Sequence, residues 1–436
     1  MAIPTVVSQI IVLIYNLADT FYVGQTNNPY MVAGTSLILP VFNITLSLAG
    51  LTGVGAGSLI SRLLGENREN EAKKVSSFSI YLSIVITALF SLTMAIFMNT
   101  ILKLLGAGEN TYLYAKQYAF CVIVLGGIPT VLSNVLSNLL RSVGVSKQAG
   151  FGITMGGLIN IILDPLFMFV ILPKGNEILG VGIATCLSNC IACIYFFCVI
   201  YKIRQKTVIS FSVKAGMPER KSISSIFNVG IPSAIATLLF DLDYIVVDKL
   251  MVAYGDISLA AIGIVLKAER LPLNVGIGLC QGMMPIVAYN YSAKNYERMN
   301  DTVKYSRNIG LITAAISIML YEIFAIYIMK LFITDAQTVL LGTDFLRIRI
   351  LATPLMFLSF FTVYLFQAFG KGNKALFLGI MRWAVFNIPM LFILNKIIGM
   401  YGIVWSQITA DILTVALSLY VYKKYSTSVK NDKAAE

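Results

Sequence analysis

Two carboxylates and an amide, set at helical spacing in apolar sequence, are the first chemistry this chain offers. In the run "LINIILDPLFMFV", residues 158–170, Asn160 and Asp164 are separated by about 6 Å of helical rise and nearly one turn, so both project from one face. Pro165 has no amide hydrogen to give the carbonyl of Ile161, which loosens the helix beside the acid. An acid, an amide and a freed carbonyl within one turn at lipid depth make a cation or proton site. Asp19, in "NLADTFYVG", is a second acid in an apolar run. Intramembrane acids are costly and are functional candidates by default. The chain has no histidine, which leaves carboxylates to carry any proton chemistry near neutral pH.

The elements that hold these groups follow from composition. With 57% apolar and 12% charged residues, the 436-residue chain has too few polar groups to cover a soluble globule, so it is an integral membrane protein. Apolar runs long enough to cross a hydrocarbon core of about 30 Å recur throughout, and the alternation of a membrane barrel is absent. Twelve helical spans are predicted near 3–23, 34–61, 76–98, 113–140, 150–172, 180–201, 226–250, 257–290, 305–331, 340–368, 376–396 and 401–422. About 22 of the 33 Lys and Arg residues fall in every second connection or the C-terminal tail. Positive-inside topology therefore accounts for the +12 charge, puts both termini in the cytoplasm, and leaves no nucleic-acid role.

The connection 202–225 carries Lys202, Arg204, Lys206, Lys214, Arg220 and Lys221 and reads as a cytoplasmic linker between two six-span halves. The expected organisation is an N-lobe at 1–203, a linker at 204–225, a C-lobe at 226–423 and a cytoplasmic tail at 424–436. Laid at a fixed offset, "IPTVVSQIIVLIYNLADTFYVG" matches "IPSAIATLLFDLDYIVVDKLMVAYG", and Pro129 meets Pro354 after a short slip. Six spans return each half to its starting side, so the copies are parallel repeats with a pathway between them. The six cysteines lie in apolar runs, and the CxxC at Cys190 and Cys193 lacks a second ligand pair for zinc. No cleavable signal is evident. Without histidine or a clustered acidic motif, an intramembrane enzyme is not expected.

Depth sorts the candidates. If span 1 leaves the cytoplasm at Ile3, Asp19 lies about 24 Å along it; Asp164 lies roughly 21 Å up span 5, and Thr185 of span 6 is near that level. In the second half Asp241, Asp243 and Asp248 crowd span 7. Asp241 and Asp248 share a face, Asp243 lies off it, and Asp241 is the deeper candidate for a second cation site together with Lys267 and Glu269 of span 8. Glu322, Arg382 and Asp411 are intramembrane charges whose partners are not evident. Pro4 either starts span 1 or serves as a hinge.

"LADTFYVG", "NIILDPLF", "LISRLLGENRENEAKK" and "QGMMPIVAYNYSAKNYER", in this order within two matching halves, resemble the multidrug and toxic compound extrusion (MATE) family, specifically its prokaryotic DinF and MepA-like branch. The resemblance covers essentially the whole chain. It implies an all-α membrane fold of twelve helices in two six-helix lobes, of the MOP superfamily type. It also implies antiport, in which inward H+ or Na+ drives small organic cations out. In that branch the N-lobe cation site matches Asp19, Asn160 and Asp164 here, with Thr185 mapped less directly and Pro4 matching the span 1 proline. A longer lead-in precedes that proline in family members. The expectation is a monomeric, multi-pass antiporter of the prokaryotic cell (inner) membrane with no cofactor beyond the coupling ion, Na+ being the one metal considered. The alternative is a flippase of lipid-linked precursors, which a cavity ringed with Arg would favour.

Overall fold

In lipid every backbone polar group must be satisfied within the chain, so apolar runs of this length become helices. The computed structural model describes residues 2–435, with side chains through residue 425. Its spans are α1 (Ala2–Gly24), α2 (Pro29–Gly65), α3 (Glu69–Ile96), α4 (Glu109–Leu125 and Gly127–Ser142), α5 (Ser146–Ile171), α6 (Glu177–Ile203), α7 (Arg220–Val252), α8 (Asp256–Ser292), α9 (Tyr296–Phe332), α10 (Ala336–Ile350 and Thr353–Ala368), α11 (Gly372–Ile398) and α12 (Met400–Tyr425). Ten of these are single helices, and the two bent pairs bring the spans to twelve among the described residues. The helix of α12 continues to Ala435.

Several helices overrun the apolar runs that announce them. α3 begins at Glu69 because Glu69 and Glu71 sit in its first turn, where carboxylates favour the positive end of the helix dipole. α4 and α10, predicted as single spans, are bent by 47° and 46°. Both bends fall beside the matched prolines, Pro129 and Pro354, as a repeated pair of breaks should. π-helical turns interrupt α5 at Leu166–Ile171, directly after Pro165, and α11 at Met381–Asn387. Such turns appear where the regular backbone ladder is disturbed and often at functional sites.

α1 is wedged between the halves. A Cβ on Gly150 of α5 would lie 2.5 Å from the Pro4 carbonyl oxygen, and one on Gly278 of α8 would lie 2.7 Å from Val6 Cα. Only glycine at both places lets α1 touch a helix of its own half and one of the other half. The seam between the halves also carries polar contacts. Arg141 Nη1 and Gln9 Nε2 both donate to Gln281 Oε1 at 3.0 Å, and Ser58 Oγ donates to the Gln367 carbonyl at 2.6 Å. Each half has its own apolar core, with Ile60, Val75, Leu136 and Phe196 at the centre of the first. Val265, Phe345, Leu346 and Ile403 stand at the centre of a core in the second.

The connection between the halves is strapped to α3. Ser76 Oγ donates to the Val208 carbonyl at 3.0 Å, Ser77 Oγ to that of Ser212 at 2.9 Å, and the Tyr81 hydroxyl to that of Phe211 at 2.7 Å. Glu71 Oε1 accepts from the Glu219 amide at 2.8 Å and from Ser222 Oγ at 2.7 Å, so a first-half acid caps the start of α7.

Candidate functional site

Three helices of the first half bring the acids together. α5 presents Asn160 and Asp164 one turn apart, both buried, and Asn160 Nδ2 donates to Asp164 Oδ1 at 3.1 Å. The same amide reaches Thr185 Oγ1 of α6 at 3.5 Å. Asp19 of α1 stands within hydrogen-bonding reach of Asp164. The phenols of Tyr15 on α1 and Tyr118 on α4 stand close enough to feel the Asp19 charge, and that of Tyr118 also feels Asp164. The sequence does not mark Tyr118, which follows Lys116 and Gln117 in the polar part of α4.

What the cluster lacks is donors. Asp19 Oδ1, Asn160 Oδ1 and Asp164 Oδ2 are buried with no hydrogen-bond partner. No Lys or Arg forms an ion pair with either acid among the described residues. Three unsatisfied acceptor oxygens on two adjacent helices suit a cation, because each orphaned acceptor costs about 1–3 kcal/mol and an unpaired buried charge more. A proton between the carboxyls would satisfy two of these oxygens. Na+ would take carboxylate, amide and hydroxyl oxygens. Among the described residues no group of three or more His, Cys, Asp or Glu gathers as a metal site, so Na+ would rely partly on Asn160 and Thr185.

Pro4 lies in α1, which runs as one unbroken helix over Ala2–Gly24. Its carbonyl packs against Gly150 of α5.

Of the three second-half candidates, Asp241 and Lys267 share Arg270 as a charged neighbour, and Glu269 is engaged elsewhere. Glu269, at the break within α8, receives Arg349 Nε at 2.7 Å, Arg349 Nη2 at 2.8 Å and the Tyr244 hydroxyl at 3.2 Å. Lys267 faces Asp248. Asp241 faces Asn43 of α2 across the seam and Arg270. The buried acid of α7 is instead Asp243, fully enclosed, with its Oδ1 accepting from Asn387 Nδ2 at 2.7 Å. The partners missing from the sequence reading also emerge: Arg382 Nε donates to Asp411 Oδ1 at 2.9 Å, and Glu322 pairs with Arg347 at 3.6 Å.

The family model described as MatE matches residues 4–166 and 232–393, two copies whose starts are 228 residues apart (232 − 4). The multidrug export protein MepA of Staphylococcus aureus is 31% identical over 423 residues, covering 97% of this chain and 92% of that protein. MepA of Staphylococcus haemolyticus is 30% identical over 434 residues, covering 100% and 94%. Among solved structures, an outward-facing MATE family transporter of the MOP superfamily superposes with a TM-score of 0.93 at 22% identity, over 99% of this chain and 95% of the other. A Vibrio cholerae MATE transporter superposes with a TM-score of 0.91 at 19% identity, over 98% and 95%. At these identities the structures speak to the fold alone.

Proposed function

The chain belongs to the MatE family, and from that footing we propose that it is a multidrug efflux transporter that exports small organic cations in exchange for H+ or Na+. The observation that carries this reading is the donor-poor cluster of Asp19, Asn160 and Asp164, with Thr185 at its edge. Two facing carboxyls in an apolar bundle repel unless a cation joins them. An ion that binds there ties α1 to α5, and an ion that leaves frees α1 to shift against its second contact, α8. Because α1 touches both halves, its position biases one arrangement of the lobes over the other. A substrate held between the lobes is then carried across as the bias reverses.

Positive-inside charge supports cytoplasmic termini, the staphylococcal relatives support a prokaryotic cell membrane, and the transporter is proposed to act as a monomer. The flippase alternative calls for unpaired guanidiniums around a cavity. The guanidiniums of Arg349 and Arg382 are engaged by Glu269 and Asp411, and the cavity that Arg349 lines also carries its partner Glu269.

The test is efflux of a cationic dye from proteoliposomes with Na+ and pH gradients imposed separately. One of the two gradients is expected to accelerate efflux. Equal efflux with either gradient or with none would remove the antiport reading.

A further inference from the structure

The two halves do not treat their buried acids alike. In the first half α1, α5 and α6 enclose Asp19, Asn160, Asp164 and Thr185. In the second half the corresponding helices are α7, α11 and α12, and they also enclose a polar cluster. The family model ends at 166 in one copy and 393 in the other, an offset of 227 (393 − 166), which lays Asn160 on Asn387. Asn387 does what Asn160 does: its amide donates to a buried carboxylate, here Asp243 Oδ1 at 2.7 Å. Asn387 Nδ2 also reaches Gln407 Oε1 at 3.4 Å, and Gln407 Nε2 donates to Asp411 Oδ2 at 2.6 Å. A second polar cluster is thus present on the corresponding three helices, with the amide at the matching position and the acids elsewhere: the same offset lays Asp164 on Leu391 and Asp411 on Ala184.

The difference is Arg382. It rises from the π-helical turn of α11, is 3% exposed, and places Nε 2.9 Å from Asp411 Oδ1. The rings of Phe360 and Trp383, each centred 4.4 Å from the guanidinium carbon, hold it there. The charged groups facing this cluster from its neighbours are Glu269 of α8 and Arg349 of α10, which neutralise each other, and Asp243 of α7. The second-half tally is three carboxyls against two guanidiniums, and the carboxyl left over is Asp243, whose Oδ1 is held by Asn387 and whose Oδ2 has no hydrogen-bond partner. The first-half pair, Asp19 and Asp164, has no basic partner.

We propose that Arg382 is a tethered cation filling the second half's copy of the ion site, so that ion coupling is confined to the first half. The chain then carries one mobile-ion site and one second-half cluster in which its own Arg382 takes the place of an ion at Asp411. This rests on the reading of Asp19 and Asp164 as the coupling pair, and the experiment separates the two ideas.

The full-length protein in detergent is melted across a pH series in NaCl and in choline chloride. Asp19→Asn/Asp164→Asn is expected to lose the ion- or acid-dependent stabilisation of the wild type; if it keeps that response, the coupling reading fails. Adding Arg382→Met to this double variant opens the second site. A new stabilisation by Na+ or acid, a few degrees in melting temperature, is the expected result. Further addition of Asp411→Asn is expected to abolish the gain while the protein stays folded, and Arg382→Lys, which keeps a tethered cation, is expected to show none. A flat response in the Arg382→Met variant overturns the proposal. So does its failure to fold at every pH and Na+ level while the Arg382→Met/Asp411→Asn variant folds.

Discussion

Replacing Asp164 by Asn removes one of two facing carboxyls while keeping the shape of the site. Asn160 Nδ2 keeps an acceptor, because the new amide oxygen stands where Asp164 Oδ1 stood, 3.1 Å away. The new amide hydrogens can be donated to Asp19, whose Oδ1 is buried without a donor. Satisfying such an acceptor contributes about 1–3 kcal/mol, so the variant is expected to melt at or above the wild-type temperature. The loss is in coupling. Two unit charges about 4 Å apart at an effective dielectric of about 20 repel by about 4 kcal/mol, close to a thousandfold in an equilibrium constant. That repulsion is what a bound ion relieves, and Asp164→Asn removes it permanently. In proteoliposomes loaded with a cationic dye, ion-gradient-driven efflux is expected to fall at least about tenfold. Movement of the dye down its own gradient is expected to persist. Wild-type pumping by this variant would refute the role of the pair, and a lowered melting temperature would refute the reasoning from unsatisfied acceptors.

Asn160→Ala strips Asp164 Oδ1 of its donor and is expected to cost about 1–3 kcal/mol, read as a drop in melting temperature along with weakened efflux. Gly278→Ala places a methyl 2.7 Å from Val6 Cα and forces α1 from α8, at about 1–3 kcal/mol of overpacking. Its signature is lost transport with ion-dependent melting retained. Glu269→Gln leaves the Arg349 guanidinium buried and unpaired, which is expected to cost about 3–5 kcal/mol and to appear as poor recovery of folded protein on size exclusion. Glu71→Ala removes the acceptor for the Glu219 amide and Ser222 Oγ, and the amides at the start of α7 are expected to exchange faster with deuterium.

The first-half site was readable because its geometry is local. Asn160 and Asp164 are one turn apart on one helix, and the rise per residue is enough to put Asp19 and Thr185 at their level. The twelve spans and the repeat were readable for a similar reason, since hydropathy and matched prolines repeat along the chain itself. The second half resisted. Sequence periodicity relates the α7 acids to one another and gives no direction for the bundle interior, so Asp241 was favoured where Asp243 is the enclosed one. The partners Arg349 for Glu269, Asn387 for Asp243 and Arg382 for Asp411 lie 80, 144 and 29 residues away and meet only through tertiary packing. The bends in α4 and α10 were also hidden, although prolines marked their places, because hydropathy does not change at a bend.

Reciprocal linkage offers the most direct test of ion exchange at Asp19 and Asp164. If binding of an organic cation displaces one bound ion, the affinity of the purified protein for a cationic dye, measured by fluorescence anisotropy, must fall about tenfold per unit decrease in pH or per tenfold rise in Na+. Wild-type protein is expected to show that slope against one of the two ions, and Asp164→Asn is expected to show a flat line at undiminished folding. A wild-type affinity that ignores both ions, or a slope that survives in Asp164→Asn, would contradict the assignment of the coupling site.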